Sequence, residues 1–116
     1  MSRFMQIDVK VVPVYGSGGL RHAFPNLASW LKACGRDRLL REEPPLYQLV
    51  ESLERLATDP AVPAPTKAGL MRLLPRFSRI RDEAREHLLS YRLKDLDACL
   101  YRLEDLFQDL EKELEW

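Results

Sequence analysis

The sequence LKDLDACLYRLEDLFQDLEKELEW, residues 93–116, decides the fold of this chain. Its spacing of apolar residues is typical of a helix that lies along another helix at a shallow angle, and it predicts a helical partner for the whole segment. We expect the apolar side chains to form the main interface of the molecule. They recur at alternating steps of three and four residues: Leu93, Leu96, Leu100, Leu103, Phe107, Leu110 and Leu114.

Charge is distributed unevenly around this segment, although the whole chain has 18 basic and 18 acidic residues. Residues 66–94 are predominantly basic, whereas residues 95–116 are predominantly acidic. A basic segment followed directly by an acidic one predicts two antiparallel helices with complementary charges. A single bent helix over residues 75–116 is the alternative, and it would leave the apolar stripe available to another molecule.

Prolines, glycines and capping residues divide the rest of the chain into shorter helices. Pro75 predicts a kink or a break just before it. The apolar stripe slips between Tyr91 and Leu93, which predicts a tight turn near residues 92–95. The main helices are therefore expected at residues 25–34, 45–58, 75–91 and 95–116, with another turn or two over residues 36–43.

The N-terminal part of the chain has a different period. Met5, Ile7, Val9 and Val11 alternate with polar residues, which predicts a half-buried strand. Residues 20–24 are a candidate second strand, and without it the first strand would have no partner in its own chain. Pairing with a second copy would then favour a dimer.

The predicted fold is therefore mainly α and forms a single domain. A strand or short hairpin with a glycine-rich loop is expected over residues 1–24. A small antiparallel bundle of about four main helices is expected over residues 25–116.

Length and composition exclude several classes of protein. A chain of 116 residues is too short for a two-lobed enzyme built around a dinucleotide. No apolar run approaches the length of about 18 residues that a membrane span needs, and the N-terminus lacks a signal-peptide pattern, so we predict a cytoplasmic protein. Cys34 and Cys99 are expected to be buried thiols, and neither a metal ion nor a cofactor is predicted.

Gly16, Gly18, Gly19 and Arg21 are candidates for an anion-binding site. Glycines let backbone amides approach a phosphate group, and the arginine adds positive charge. The dinucleotide fingerprint is incomplete and no Gly-Lys-Ser/Thr motif is present. A plain turn or linker is therefore the favoured interpretation.

Glu51 and Glu54 form an ExxE pair. This pair resembles the first half of the carboxylate cluster by which all-α nucleotide pyrophosphohydrolases hold magnesium, but the second half, ExxD, is absent from the sequence. We therefore expect a solvated helix face at these two residues.

Arg81 and His87 are the candidates for catalysis. Together with Asp82 they resemble the R-x(4–6)-H motif of HEPN-superfamily ribonucleases. The resemblance is confined to one helix and implies a small all-α dimer in which Arg81 and His87 cleave RNA across a two-fold axis. On a regular helix these residues lie about 120° apart, so they do not converge within one helix.

The sequence contains no complete catalytic set. The favoured prediction is a non-enzymatic interaction or accessory module that acts through homodimerisation or another protein partner. A HEPN-like RNA-cleaving dimer and an immunity-like or antitoxin-like inhibitor of a larger protein are the alternatives. The basic helix contains Arg72, Arg76, Arg79 and Arg85, but in a neutral chain these do not predict a nucleic-acid partner.

Overall fold

The computed structural model describes residues 11–114 of the chain. These residues are mainly helical, as predicted, and none of the helices among them is long and apolar enough to cross a membrane. The helices are α1 (Gly19–Ala23), α2 (Pro25–Ala33), α3 (Asp37–Glu42), α4 (Leu46–Thr58), α5 (Ala68–Leu89) and α6 (Leu93–Glu113), with a 3₁₀ turn at Ala64–Lys67 before α5.

The two longest helices, α5 and α6, form an antiparallel hairpin. Gly69 at the start of α5 lies beside Glu113 at the end of α6, and Glu83 farther along α5 bonds Arg102. At 22 and 21 residues, each helix extends for roughly 30 Å. The structure therefore has two helices where the alternative interpretation has a single bent helix.

The turn between α5 and α6 is a Schellman motif. The Arg92 N–H donates to the His87 carbonyl at 2.9 Å, and the Tyr91 N–H donates to the Leu88 carbonyl at 3.3 Å. Tyr91 has a φ of 56°, in the left-handed region that glycine usually supplies at this position. After α2, Gly35 fills the equivalent position with a φ of 76°. The turn lies slightly before the predicted residues 92–95.

Phe107 of α6 lies at the centre of the main core. Its ring centroid is 4.8 Å from that of Phe77 on α5 and 6.0 Å from that of Phe24, which precedes α2. Leu106 and Cys99 are buried as well, although the three-four stripe omits both. The apolar face of α6 is wider than the stripe because α2 and α4 pack against it in addition to α5.

The predicted interface residues are mostly buried, with one clear exception. Leu96, Leu103, Phe107, Leu110 and Leu114 are buried, and Leu100 is half-buried. Leu93 is 53% exposed, so the other described residues of the same chain leave the first residue of the predicted interface uncovered. Leu93 is the first residue of α6 and follows the turn directly, where the shorter helices do not cover the hairpin.

A carboxylate from α6 caps the N-terminus of α2. The Asn26 and Leu27 N–H groups donate to Glu111 Oε1 at 2.5 Å and Oε2 at 2.8 Å. These are the first N–H groups of α2, because Pro25 has none, and they have no acceptor within the helix. A negative charge at this position also complements the helix dipole, so Glu111 fixes α2 against the end of α6.

Two predicted elements differ in the structure. Residues 20–24 do not form a strand, because Leu20 and Phe24 are both buried and their four-residue spacing suits the short helix α1. Helix α5 is not broken before Pro75 and runs continuously from Ala68. Pro75 and Met71 are both exposed, so water can bond the Met71 carbonyl that loses its helical partner.

The predicted strand at residues 5–11 is not tested by the structure. Residues 5–10 lie outside the described part of the chain, and Val11 belongs to no regular element.

Phe107→Ala should lower the free energy of unfolding by about 3 to 5 kcal/mol, because it leaves a cavity between Phe77 and Phe24. Chemical denaturation monitored by circular dichroism measures this change. Tyr101→Ala on the same helix is the control, since Tyr101 is 63% exposed and should change stability by no more than about 0.5 kcal/mol. Equal effects of the two substitutions would contradict the central position of Phe107.

Candidate functional site

A polar cleft between α4 and α5 contains several of the charged candidates from the sequence. Its volume is about 430 Å³, and it is lined by Tyr47, Gln48, Glu51, Glu54, Arg81 and Arg85. Glu54 and Arg81 were singled out by unrelated motifs, and the fold brings them into direct contact.

Arg81 forms a bidentate ion pair with Glu54. Its Nη1 donates to Glu54 Oε1 at 2.7 Å and its Nη2 donates to Oε2 at 3.2 Å. Its Nε donates to Asp82 Oδ1 at 2.8 Å, and the Ser78 hydroxyl donates to Glu54 Oε2 at 2.9 Å. Every nitrogen of the guanidinium group is therefore hydrogen-bonded inside the chain. Such parallel bonds fix the orientation of an arginine.

The electrostatics of the pair keep both groups charged. The hydrogen bond from Arg81 lowers the pKa of Glu54 below its ordinary value of 4.5; partial burial opposes this shift, and the bond from Ser78 adds to it. The hydrogen bond to Glu54 likewise raises the pKa of Arg81. The arrangement is a stable ion pair that ties α5 to α4, and neither group is poised to exchange a proton near neutral pH.

His87 lies on a different side of α5 from Arg81. His87 lies one turn after Glu83 and so on nearly the same side of α5, the side on which Glu83 accepts a hydrogen bond from Arg102 of α6, whereas Arg81 bonds Glu54 of α4. The His87 Nδ1 atom is buried and has no hydrogen-bond partner among residues 11–114. The described chain therefore does not bring Arg81 and His87 to one site.

The glycine loop already holds a carboxylate from its own chain. The Leu20 N–H donates to Glu43 Oε1 at 3.0 Å, and a Cβ atom on Gly19 would clash with the same oxygen. Gly19 has a φ of 68°, so its lack of a side chain serves both the turn and this close approach. Gly16, Gly18 and Arg21 are exposed on the same loop and the helix that follows. The pattern that suggested an external anion is thus explained by Glu43.

Tyr15 reinforces this connection. Its hydroxyl donates to the Pro44 carbonyl, next to Glu43, and burial raises the pKa of Tyr15, with the negative charge of Glu43 adding to the shift. The N-terminal segment is thereby attached to the connection between α3 and α4.

The remaining charged candidates are surface groups. Glu51 pairs with Arg55 at 3.0 Å one turn along α4, and Arg72 pairs with Glu113 across the hairpin. Among residues 11–114, no group of three or more His, Cys, Asp or Glu side chains is arranged to hold a metal ion. The ExxE pair is therefore divided between two separate ion pairs.

The end of the hairpin exposes large apolar side chains that no sequence motif identified. Leu89, Tyr91 and Leu93 are 72%, 59% and 53% exposed, and together they form what we call the hairpin-end surface. Elsewhere on the same two helices, Ala84, Leu96 and Cys99 form a small cluster that is separate from the main core. The slip of the apolar stripe at residues 91–93 was the signal in the sequence. It marked the turn but did not show which side chains remain uncovered.

No family model, curated protein or solved structure matches this chain. Its function is therefore inferred from the geometry of residues 11–114.

Glu54→Gln should lower the free energy of unfolding at pH 7 by about 1 kcal/mol, after allowance for partial exposure of the pair. Because the pKa of Glu54 is lowered in the folded state, its contribution is complete above pH 4.5 and disappears as the pH falls through the folded-state pKa. Denaturation of both proteins from pH 7 to pH 3 should show the difference between them shrinking.

Glu51→Gln is the matched control on the same helix. This substitution removes only the exposed ion pair between Glu51 and Arg55, and it should change the free energy of unfolding by less than about 0.5 kcal/mol. A pH-independent difference between the wild type and Glu54→Gln would contradict the role assigned to the Glu54 carboxylate.

Proposed function

We propose that this chain is a small antiparallel helical bundle that acts as a non-enzymatic interaction module and associates with a second copy of itself through the hairpin-end surface. The observation that supports this function best is the conformation of Tyr91. A residue other than glycine in the left-handed region costs roughly 1 to 2 kcal/mol. Tyr91 is 59% exposed, so burial within the chain compensates little of this cost.

Strain of this kind is often found at functional positions. Here it falls between Leu89 and Leu93, which are also exposed. Several large apolar side chains that a fold leaves exposed close together in the chain are typical of a protein interface. The turn itself needs only a glycine, so the tyrosine side chain is better explained by contact with another molecule.

The charges of the hairpin favour a second copy as that molecule. Arg76, Arg79 and Arg85 on α5 form no salt bridge with another residue in the range 11–114. Exposed Asp105 and Asp109 on α6 are likewise free of salt bridges in that range. In a two-fold dimer, α5 of one copy can face α6 of the other, and this arrangement is self-complementary.

The polar groups of the chain also support a non-enzymatic role. The guanidinium group of Arg81 is fully engaged by Glu54 and Asp82, and His87 is directed to another side of the helix. The glycine loop is filled by Glu43. Each candidate for chemistry in the described chain therefore has a structural role or lies apart from a second reactive group.

Tyr91→Gly should separate folding from association. We expect it to raise the free energy of unfolding by about 0.5 to 1 kcal/mol, because glycine adopts the left-handed conformation without strain. We also expect it to weaken self-association at least about tenfold, because it removes the central side chain of the interface. Light scattering and sedimentation over a range of concentrations measure the association, and denaturation measures the stability.

Tyr101→Ala is the control for association, because Tyr101 is an equally exposed tyrosine of the same hairpin in regular helix. It should leave self-association unchanged. A wild-type protein that stays monomeric at millimolar concentration would overturn the proposal. Unchanged association of Tyr91→Gly would overturn it as well.

A further inference from the structure

Residues 11–15, with the sequence VVPVY, offer a second surface for the same association. We propose that this segment pairs with the same segment of a second copy in a short antiparallel β-ribbon whose two-fold axis passes through Pro13. This inference rests on the proposed self-association and assigns the register of the contact.

The main chain of the segment has no partner within the described part of the molecule. The only hydrogen bond of residues 11–15 to any other residue between 11 and 114 is the one from the Tyr15 hydroxyl to Pro44. Pro13 fixes its own φ near about −65° and keeps Val12 in the extended region. In an extended conformation, N–H and C=O groups of this segment that have no partner among residues 11–114 are a template for another strand.

The side chains of the segment have two different environments. Val11 packs against the cluster of Ala84, Leu96 and Cys99, and Tyr15 packs against the main core. Val12 and Val14 are 68% and 90% exposed. Two residues that are two positions apart share one face of an extended chain, and exposed valines on such a face are favourable when they pair across strands.

The position of Pro13 selects one register. In an antiparallel pair, opposite residues alternate between pairs that exchange hydrogen bonds and pairs that do not. Suppose that Pro13 of one copy lies opposite Pro13 of the other in a pair that exchanges no hydrogen bonds. The position of the missing N–H then points away from the partner strand, and the ribbon loses no hydrogen bond. Val12 of each copy then faces Val14 of the other, and their N–H and C=O groups bond each other.

In this register Val11 of one copy faces Tyr15 of the other, and Gly16, with a φ of 87°, ends the pairing after Tyr15.

The ribbon begins against the hairpin of α5 and α6. Val11 packs on the cluster of Ala84, Leu96 and Cys99, which Leu88 and Leu100 of the hairpin also contact, and we place the ribbon and the hairpin-end surface in one interface. A ribbon this short buries far less than the roughly 1,600 Å² of a standard interface, which is why the apolar hairpin end is also needed.

Disulfide trapping tests the register directly. In a pair without hydrogen bonds, opposite Cα atoms lie about 4.5 Å apart, within the range for a disulfide. Both variants are made in a Cys34→Ala background. Pro13→Cys should form a disulfide-linked dimer at least about tenfold faster than Val14→Cys, because the two copies of residue 14 are not opposite each other but are displaced along the strands. Non-reducing electrophoresis after mild oxidation measures both rates, and circular dichroism verifies the fold.

Val14→Cys is a demanding control because Val14 is the most exposed residue of the segment. Cross-linking by random collision would favour it over Pro13→Cys, which is the opposite of the order expected for the ribbon. Cys99 is 2% exposed and stays protected in the folded protein.

A second pair of variants tests the hydrogen bonds without any new thiol. Val14→Pro removes an N–H group that the ribbon directs at the partner, and it should weaken self-association about tenfold or more without loss of the monomer fold. Val14→Thr keeps the shape and the N–H, and it should associate like the wild type.

The outcomes distinguish the two proposals. If Tyr91→Gly weakens association but Pro13→Cys cross-links no faster than Val14→Cys, the ribbon is wrong and the hairpin-end interface stands. If Val14→Pro associates as tightly as Val14→Thr, the ribbon is likewise overturned. A wild type that does not self-associate at all overturns both.

Discussion

The structure depends on the burial of the apolar face of α6, with Phe107 at its centre. Phe77 covers this ring from α5, and Phe24 covers it from the chain that enters α2. One aromatic side chain therefore joins the hairpin to the N-terminal helices. One side of α6 is too apolar to be exposed to water. The shorter helices therefore cover the part of this side that α5 does not cover.

Carboxylates of the chain then fix where those shorter helices begin. Glu111 receives the first N–H groups of α2, and Glu43 receives the Leu20 N–H at the start of α1. Both bonds join parts of the chain that are distant in sequence, so they act as tertiary contacts as well as caps. The backbone N–H group that could bind an external anion at the glycine loop is hydrogen-bonded to the carboxylate of Glu43 instead.

The sequence was most informative where one face of a helix decides the structure. The helices α2, α4 and α6 follow from apolar spacing, and Gly35 ends α2 as its position indicates. Periodicity failed where a tertiary contact decides. Residues 20–24 are helical because Leu20 and Phe24 enter the same core, and α5 passes through Pro75 because that turn faces solvent. Neither environment can be recognised from local spacing.

The candidate site shows the same division between local pattern and tertiary contact. Arg81 and Glu54 belonged to separate motifs, and only the packing of α4 on α5 shows that they form one ion pair. The exposure of Tyr91 and Leu93 could not be predicted either, since each fits an apolar helical stripe. Exposure depends on where the shorter helices stop.

The features from which we propose association contribute little to the fold itself. Leu89, Leu93, Val12 and Val14 are largely exposed, and the strain at Tyr91 opposes stability. The core around Phe107 needs none of them. In the dimer that we propose, folding and association depend on different residues, and a substitution at Tyr91 can raise the stability while it weakens the association. A protein selected only for stability would have glycine at position 91 and polar residues at positions 12 and 14, because neither change would disturb the core.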